Sequence, residues 1–246
     1  MNLYSIMLTV VLLPILIVQG IMVKLRTPVL PEASGDPFGM FEGPGEPFHL
    51  IVLGESTVAG LGVDTYDKAI ASQAASALGR KTGRAVRWRS LGRNGMMAYD
   101  LRKKYLEKVA SLEADIILIS LGVNDVLHLH GPRRYARDLR HLIDGLRGHF
   151  GDIPIVLNGV APVGYFPAIP QPLRYVLGLR ARVLDRAAAR LCRSFKNVHY
   201  CSPPHMADLI RISFASDGFH PNATGYALLG KLLGDCMTQC LESEKI

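Results

Sequence analysis

Short runs of apolar residues recur along most of the chain, and each has the length of a β-strand. In three of these runs Ile, Leu and Val are almost continuous, which is typical of strands covered on both faces of a sheet. The predicted strands are 49–54, 85–91, 115–122, 153–160 and 197–201.

The segments between these strands have the periodicity of amphipathic helices. The predicted helices are 67–80, 98–112, 132–148, 172–194 and 221–241. Because strand and helix alternate, the sequence predicts an α/β fold in which helices cover both faces of a parallel sheet. Ligands bind beyond the carboxyl ends of the strands in such sheets. The residues that follow the first three strands are therefore the first place to look for a site.

A separate apolar run, from Leu3 to Val23, contains no charged residue. As a helix it would measure about 31 Å, close to the hydrocarbon thickness of a bilayer. We therefore predict an uncleaved, single-pass membrane anchor over residues 1–25, with a cleaved signal peptide as the alternative. Lys24 and Arg26 follow the run and favour a cytoplasmic domain, but two charges leave the side of the membrane open.

Residues 26–47 are rich in proline and glycine and are predicted to be a linker, so the folded domain is predicted to span 48–246. The net charge is +7. The lysines and arginines are spread out and accompany no zinc-ligand or RNA-binding aromatic pattern, so a nucleic-acid partner is not expected.

The four cysteines lack the CxxC spacing of a zinc or redox motif. Cys236 and Cys240 would share a helix face as small apolar side chains. A disulfide between Cys192 and Cys201 stays open, since nothing in the sequence requires it.

The stretch GESTVAG, residues 54–60, follows the first predicted strand and places Ser56 at its carboxyl end. A serine becomes a nucleophile only when a base removes its proton and hydrogen-bond donors stabilise the resulting oxyanion. The G-x-S-x-G elbow of α/β-hydrolases fits at Gly54 and Ser56 but fails at Val58. A plain glycine-serine turn is the alternative.

The next two strand ends offer donors for such an oxyanion. Gly95 lies in a predicted turn before a helix, where its backbone N–H can point at an anion. Asn124, in LGVNDV, follows the third strand and carries a neutral side-chain amide. Taken alone, Gly95 is also explained as a simple turn and Asn124 as a helix cap.

Asp217 and His220 lie three residues apart in SDGFHPN, with a glycine between them that permits a tight bend. A carboxylate this close can orient an imidazole, leaving the other ring nitrogen to face a serine. The alternative is a loop in which Asp217 only caps backbone N–H groups. His128 and His130 form HLH, but no third ligand follows at a usual spacing, so no metal site is predicted and both are read as surface or loop polarity.

Taken in order, GES, Gly95, GVND and DGFHP resemble the motif blocks of the SGNH (GDSL-type) hydrolases, across roughly residues 48–240. The combination of the blocks is far more specific than any one of them. The resemblance implies a flavodoxin-like, three-layer α/β/α sandwich around a parallel five-stranded sheet. It also implies a serine esterase that uses no metal or organic cofactor.

The resemblance assigns roles to the five candidate residues. Ser56 would be the nucleophile and would also donate its backbone N–H to the oxyanion. His220 would be the general base, and Asp217 its orienting partner. Gly95 would supply a second backbone donor and Asn124 a side-chain donor.

One residue departs from the family pattern, which usually reads Gly-Asp-Ser where this chain has Glu55. The extra methylene keeps the charge but shifts the reach of the carboxylate. If the acid only braces the loop, either residue can serve, so we expect aspartate here to preserve activity.

The substrate expected from the predicted anchor is a lipid or small-molecule ester, such as a lysophospholipid or an acetyl ester of an envelope glycan. Residues 162–178 carry prolines and aromatics and are expected to form a lid or an apolar acyl wall, or else a packed loop. A non-catalytic, membrane-tethered flavodoxin-like binding module and a basic adaptor remain as alternative functions.

Overall fold

The structure, a computed structural model, describes residues 11–204 and 213–243. Within these residues six strands form one sheet. They are β1 (Phe38–Phe41), β2 (Phe48–Gly54), β3 (Val86–Gly92), β4 (Ile116–Ser120), β5 (Ile155–Asn158) and β6 (Val198–Cys201). Their order across the sheet is β1-β3-β2-β4-β5-β6. Strands β2 to β6 are parallel and follow the order of flavodoxin-like sheets, so the predicted α/β fold is confirmed.

The prediction of a five-stranded, wholly parallel sheet is wrong at one edge. Strand β1 lies within residues 26–47, the predicted linker, and pairs antiparallel with β3. Its sequence, FGMF, is short and lies between prolines and glycines, so no local pattern marks it as a strand. Its hydrogen bonds to β3 make it a strand, and they make the sheet mixed.

Seven α-helices lie in the described residues. They are α1 (Leu13–Arg26), α2 (Ile70–Thr82), α3 (Ala98–Val109), α4 (Val123–Leu127), α5 (Pro132–Phe150), α6 (Leu173–Cys192) and α7 (Ala223–Ser243). The five predicted helices correspond to α2, α3, α5, α6 and α7. The short helix α4 has no counterpart in the sequence prediction, because five residues cannot display a helical period.

Successive side chains of each strand point to opposite faces of the sheet, and helices cover both faces to give three layers. On β2, Leu50 and Val52 belong to the core shared with α2 and α7, whereas Ile51 and Leu53 face the core shared with α3, α5 and α6. Each face of the sheet therefore buries apolar surface, which explains why the strand sequences are almost continuously apolar.

The predicted membrane anchor differs from what the structure shows. Its described part is α1, a helix of 14 residues that carries Pro14 in its first turn and packs against α6. A helix of this length measures about 21 Å, less than the roughly 30 Å of a bilayer's hydrocarbon core. No helix within residues 11–204 and 213–243 is long and apolar enough to cross a membrane, so the transmembrane prediction is not supported there. Residues 1–10 lie outside the described residues.

The carboxyl ends of β2, β3 and β4 lie side by side. The register pairs Gly54 with Gly92 on one side and with Ser120 on the other. The loops that follow these strands therefore meet at one edge of the sheet, where the sequence predicts the site.

Candidate active site

The nucleophile loop begins where β2 ends, and a close contact between strands sets its path. A Cβ atom added to Gly54 would lie 2.0 Å from the carbonyl oxygen of Ser120, so only glycine fits. Ser56 follows two residues later and is buried. Val58, where the elbow motif requires glycine, is fully buried and packs against Gly92. The loop is therefore a tight turn that differs from the G-x-S-x-G elbow.

Ser56, His220 and Asp217 form a continuous chain of hydrogen bonds. The Oγ of Ser56 lies 2.8 Å from Nε2 of His220, a residue 164 positions away in sequence. On the other side of the ring, Nδ1 of His220 lies 2.5 Å from Oδ2 of Asp217. The structure therefore brings together the three residues expected to form a triad.

Asp217 also performs the capping function that was its alternative interpretation. Its Oδ1 accepts hydrogen bonds from the backbone nitrogens of Phe219 and His220, each at 3.0 Å. One oxygen thus fixes the loop and the other fixes the imidazole. The carboxyl group is 2% exposed, which keeps competing water away from both contacts.

Glu55 connects the nucleophile loop to α4. Its Oε1 accepts a hydrogen bond from the backbone nitrogen of Val123 at 3.0 Å. Its Oε2 accepts bonds from the backbone nitrogen of Asn124 at 3.0 Å and from that residue's Nδ2 at 2.7 Å. Burial raises the pKa of Glu55 to about 7, although the two backbone donors favour the charged form.

The three expected oxyanion donors differ in their surroundings. Both hydrogens of the Asn124 amide are engaged, since Nδ2 also donates to the carbonyl oxygen of Met96 at 3.0 Å. The backbone nitrogens of Ser56 and Gly95 donate to no acceptor among the described residues. Gly95 lies in the exposed turn between β3 and α3 with a φ of +80°, as the glycine of a tight turn would.

A second aspartate–histidine pair lies beside the site and was not predicted. His130 is buried, and its Nδ1 lies 2.7 Å from Oδ1 of the fully buried Asp125. Burial raises the pKa of Asp125, and the bond with His130 opposes the shift. The prediction that His130 is a surface residue is therefore wrong, although it does lie in a loop, between α4 and α5. The signal available was the five-residue spacing across the end of α4, which alone does not separate a buried pair from an exposed one.

Two concave spaces adjoin the nucleophile, and Ser56 and His220 line both. The small cavity has a volume of about 90 Å³ and is lined largely by apolar side chains, among them Phe166 and Phe219. The large cleft has a volume of about 700 Å³ and extends from Ser56 between α1 and α6. Residues 162–178 contribute to both, with Phe166 in the small cavity and Ile169 in the large cleft.

The cysteines and possible metal sites also bear on the sequence predictions. All four cysteines are free, so Cys192 and Cys201 form no disulfide. Within residues 11–204 and 213–243, no group of three or more histidine, cysteine or acidic side chains could hold a metal ion.

Sequence comparison decides the family. The profile described as GDSL-like Lipase/Acylhydrolase matches residues 52–228, a range that includes all five candidate site residues. The chain belongs to this family. A curated relative of this GDSL-family chain, a GDSL-like esterase of Mycobacterium tuberculosis (strain ATCC 25618 / H37Rv), is 28% identical over 205 residues. The match covers 79% of this chain and 64% of that protein, so the chain spans less than two thirds of its relative's length.

Solved structures share the fold of this GDSL-family chain. A lipolytic protein of the G-D-S-L family from Veillonella parvula DSM 2008 is 17% identical, with a TM-score of 0.61 over 78% of this chain and 99% of that one. A family 3 carbohydrate esterase from Clostridium thermocellum is 14% identical, with a TM-score of 0.64 over 81% of this chain and 99% of that one. At such identities the likeness concerns the fold alone.

Proposed function

We propose that this protein hydrolyses carboxylic esters through a covalent acyl-enzyme on Ser56. The observation that carries the proposal is the uninterrupted hydrogen-bond chain from Ser56 through His220 to Asp217. Membership of the GDSL-like lipase/acylhydrolase family and the similarity to a mycobacterial esterase support it. No group outside the chain is needed for the steps proposed.

In the first half-reaction, Oγ of Ser56 attacks the ester carbonyl and Nε2 of His220 accepts its proton. Asp217 holds the ring through Nδ1 and stabilises the imidazolium that forms. His220 then donates the proton to the departing alcohol oxygen, which leaves an acyl group on Ser56. In the second half-reaction His220 removes a proton from water, and the hydroxide formed attacks the acyl carbonyl. The bond from the acyl carbon to Oγ of Ser56 then breaks, His220 returns the proton to Oγ, and the acid is released.

The oxyanion of each tetrahedral intermediate is stabilised by donors at the three strand ends. The backbone nitrogens of Ser56 and Gly95 have no other acceptor among the described residues, so both are free for this role. Asn124 contributes when its side-chain amide rotates so that Nδ2, which donates to Glu55 and Met96 in the structure, donates to the oxyanion. One such donor is worth about 3 kcal/mol in the transition state.

The substrate class follows from the spaces beside Ser56. Both the small cavity and the large cleft present mainly apolar side chains to the nucleophile. A lipid-like ester, such as a lysophospholipid, buries its chain against such walls. An acetyl ester of a glycan offers mostly hydroxyl groups and gains little there. The lipid-like ester is therefore the substrate class that we propose.

Labelling with a fluorophosphonate probe tests the nucleophile directly. The wild-type protein should be modified at Ser56 and should hydrolyse p-nitrophenyl esters, whereas Ser56→Ala should do neither. Ser72→Ala is a matched control, because Ser72 on α2 lines neither space and its hydroxyl donates to the carbonyl oxygen of Asp67, just before the helix. Retained turnover in purified Ser56→Ala would refute the proposal, and a wild-type protein that is never labelled would favour the binding-module alternative.

A further inference from the structure

Helix α1 forms a wall of the large cleft beside the nucleophile. Its side of the cleft carries Leu13, Leu16, Ile17, Gly20 and Val23. Leu173, Val176 and Leu177 of α6 also line this cleft, and so do Ser56, Asn124 and His220. The cleft therefore leads from the reacting groups along an apolar passage between two helices.

The position of α1 is fixed by specific contacts. The Gln19 side chain donates from Nε2 to the carbonyl oxygen of Gln171 at 2.7 Å, and its Oε1 accepts from the backbone nitrogen of Leu173 at 3.1 Å. Both ends of the amide are thus used to join α1 to the start of α6. Leu16, one turn earlier, is buried against the cleft. These contacts make α1 part of the site's wall.

The two spaces beside Ser56 differ greatly in size. The small cavity, of about 90 Å³, falls below the usual range of ligand pockets, whereas the large cleft, of about 700 Å³, lies within it. Of the two spaces, the large cleft therefore accommodates a long hydrocarbon chain on the reacting ester better. Each buried methylene of such a chain adds several-fold to its binding.

We infer that the large cleft binds the acyl chain of the substrate, with α1 as the wall that sets the preference for chain length. This inference rests on the proposed esterase function. The acyl chain is the part of the ester that stays bonded to Ser56 after the alcohol departs. A cleft that starts at Ser56 and is walled by apolar side chains retains that chain through both half-reactions. The enzyme should accordingly prefer octanoyl to acetyl esters.

Two adjacent residues of α1 provide a matched test. Ile17 and Val18 are 54% and 57% exposed, but only Ile17 lines the cleft. Ile17→Asp places a charge in the acyl passage and should lower kcat/KM for p-nitrophenyl octanoate by about tenfold or more. The same change should leave p-nitrophenyl acetate within about twofold. Val18→Asp introduces the same charge outside the cleft and should leave both substrates unchanged.

A second pair of variants tests space instead of polarity. An added Cβ at Gly20 meets nothing within 4 Å, so a leucine there starts in open space at the cleft and reduces its volume. We expect it to lower kcat/KM for octanoate while acetate stays within about twofold. Gly148→Leu is the control, since an added Cβ at Gly148 also meets nothing within 4 Å but lies on the exposed face of α5 and does not line the cleft.

The outcomes separate the inference from the function on which it rests. Ser56→Ala tests the esterase function, and loss of labelling and turnover in this variant supports it. If Ile17→Asp then has the same kcat/KM as wild type for octanoate and for acetate, the cleft assignment is overturned and the esterase function stands. Alkyl acetates of increasing alcohol length provide the second arm. If Ile17→Asp removed a preference among these alcohols and none among acyl chains, the acyl assignment would be wrong.

Discussion

Glu55 accepts hydrogen bonds from both nitrogens of Asn124, from the backbone at 3.0 Å and from the side-chain amide at 2.7 Å. With the bond from Val123, these contacts tie the nucleophile loop to the first turn of α4. Glutamate stands where the family pattern has aspartate, and in the structure its carboxylate accepts from all three of these donors.

The geometry revises the expectation that aspartate would serve equally well at this position. Glu55→Asp shortens the side chain by about 1.5 Å, so it cannot keep all three bonds unless the loop moves. Because a bond to a charged group contributes about 1.5–3 kcal/mol, we expect kcat to fall by about tenfold or more. Steady-state kinetics with p-nitrophenyl butyrate measures this change in kcat. Wild-type kcat in Glu55→Asp would show that the loop adapts and that the carboxylate only braces it.

The buried carboxyl group of Glu55 should also make stability depend on pH. Its pKa is raised from an ordinary value of 4.5 to about 7 in the folded protein, so the folded state binds the proton more tightly than the unfolded chain. The resulting stabilisation is complete below about pH 4.5 and is lost as the pH rises through about 7. The loss is on the order of 3 kcal/mol.

Glu55→Gln removes this titration, and urea unfolding between pH 4.5 and 8 measures the effect. Relative to the variant, wild type should lose free energy of unfolding as the pH rises. The variant's altered hydrogen bonds add a constant offset, so the slope is the quantity to compare. Parallel pH profiles for the two proteins would contradict the raised pKa.

Asn124 is expected to act in the transition state as well as to hold Glu55. Asn124→Ala removes a donor to the oxyanion and should lower kcat by about a hundredfold or more, with a smaller effect on KM. A purely bracing role predicts a different result in a double-mutant cycle. In that case Asn124→Ala would lower kcat little further in a protein that already carries Glu55→Gln. Additive losses of kcat in the double variant support the oxyanion role.

The motif blocks named side chains that the structure brings together, but they gave no indication of the helix and strand that surround them. Ser56, Asp217 and His220 could be found because each follows or precedes a strong element and belongs to a recognisable block. The wall made by α1 could not be found, because Gln19 is fixed by atoms 152 and 154 residues away. An uninterrupted apolar run also does not show which of its residues will be covered, and in α1 Leu16 is buried while Ile15 and Ile17 stay about half exposed. Strand β1 is likewise defined by its pairing with β3, which no local pattern contains.

Asp217 should act mainly by determining which ring nitrogen of His220 carries the proton, and less by holding the ring in place. In Asp217→Asn, the amide oxygen can still accept from the backbone nitrogens of Phe219 and His220. The amide nitrogen then faces Nδ1 and donates to it, which places the ring proton on Nε2, where it cannot accept from Ser56. We expect kcat to fall by about a thousandfold or more, with unchanged far-UV circular dichroism. A loss of less than about tenfold would show that Asp217 is not the orienting carboxylate.

Gly54 should be essential for stability at the point where β2 passes into the nucleophile loop. In Gly54→Ala the new methyl group would lie 2.0 Å from the Ser120 carbonyl oxygen and 2.5 Å from Cγ2 of Val58. One of these neighbours is backbone in the centre of the sheet and cannot turn aside. We therefore expect the free energy of unfolding to fall by about 3 kcal/mol, measured by urea denaturation.

Gly148→Ala, whose methyl group meets no atom within 4 Å, is the control and should stabilise helix α5 by up to about 1 kcal/mol. Equal unfolding midpoints for wild type and Gly54→Ala would mean that β2 and β4 can separate at this end without cost, and the tight approach that shapes the loop would then not be required.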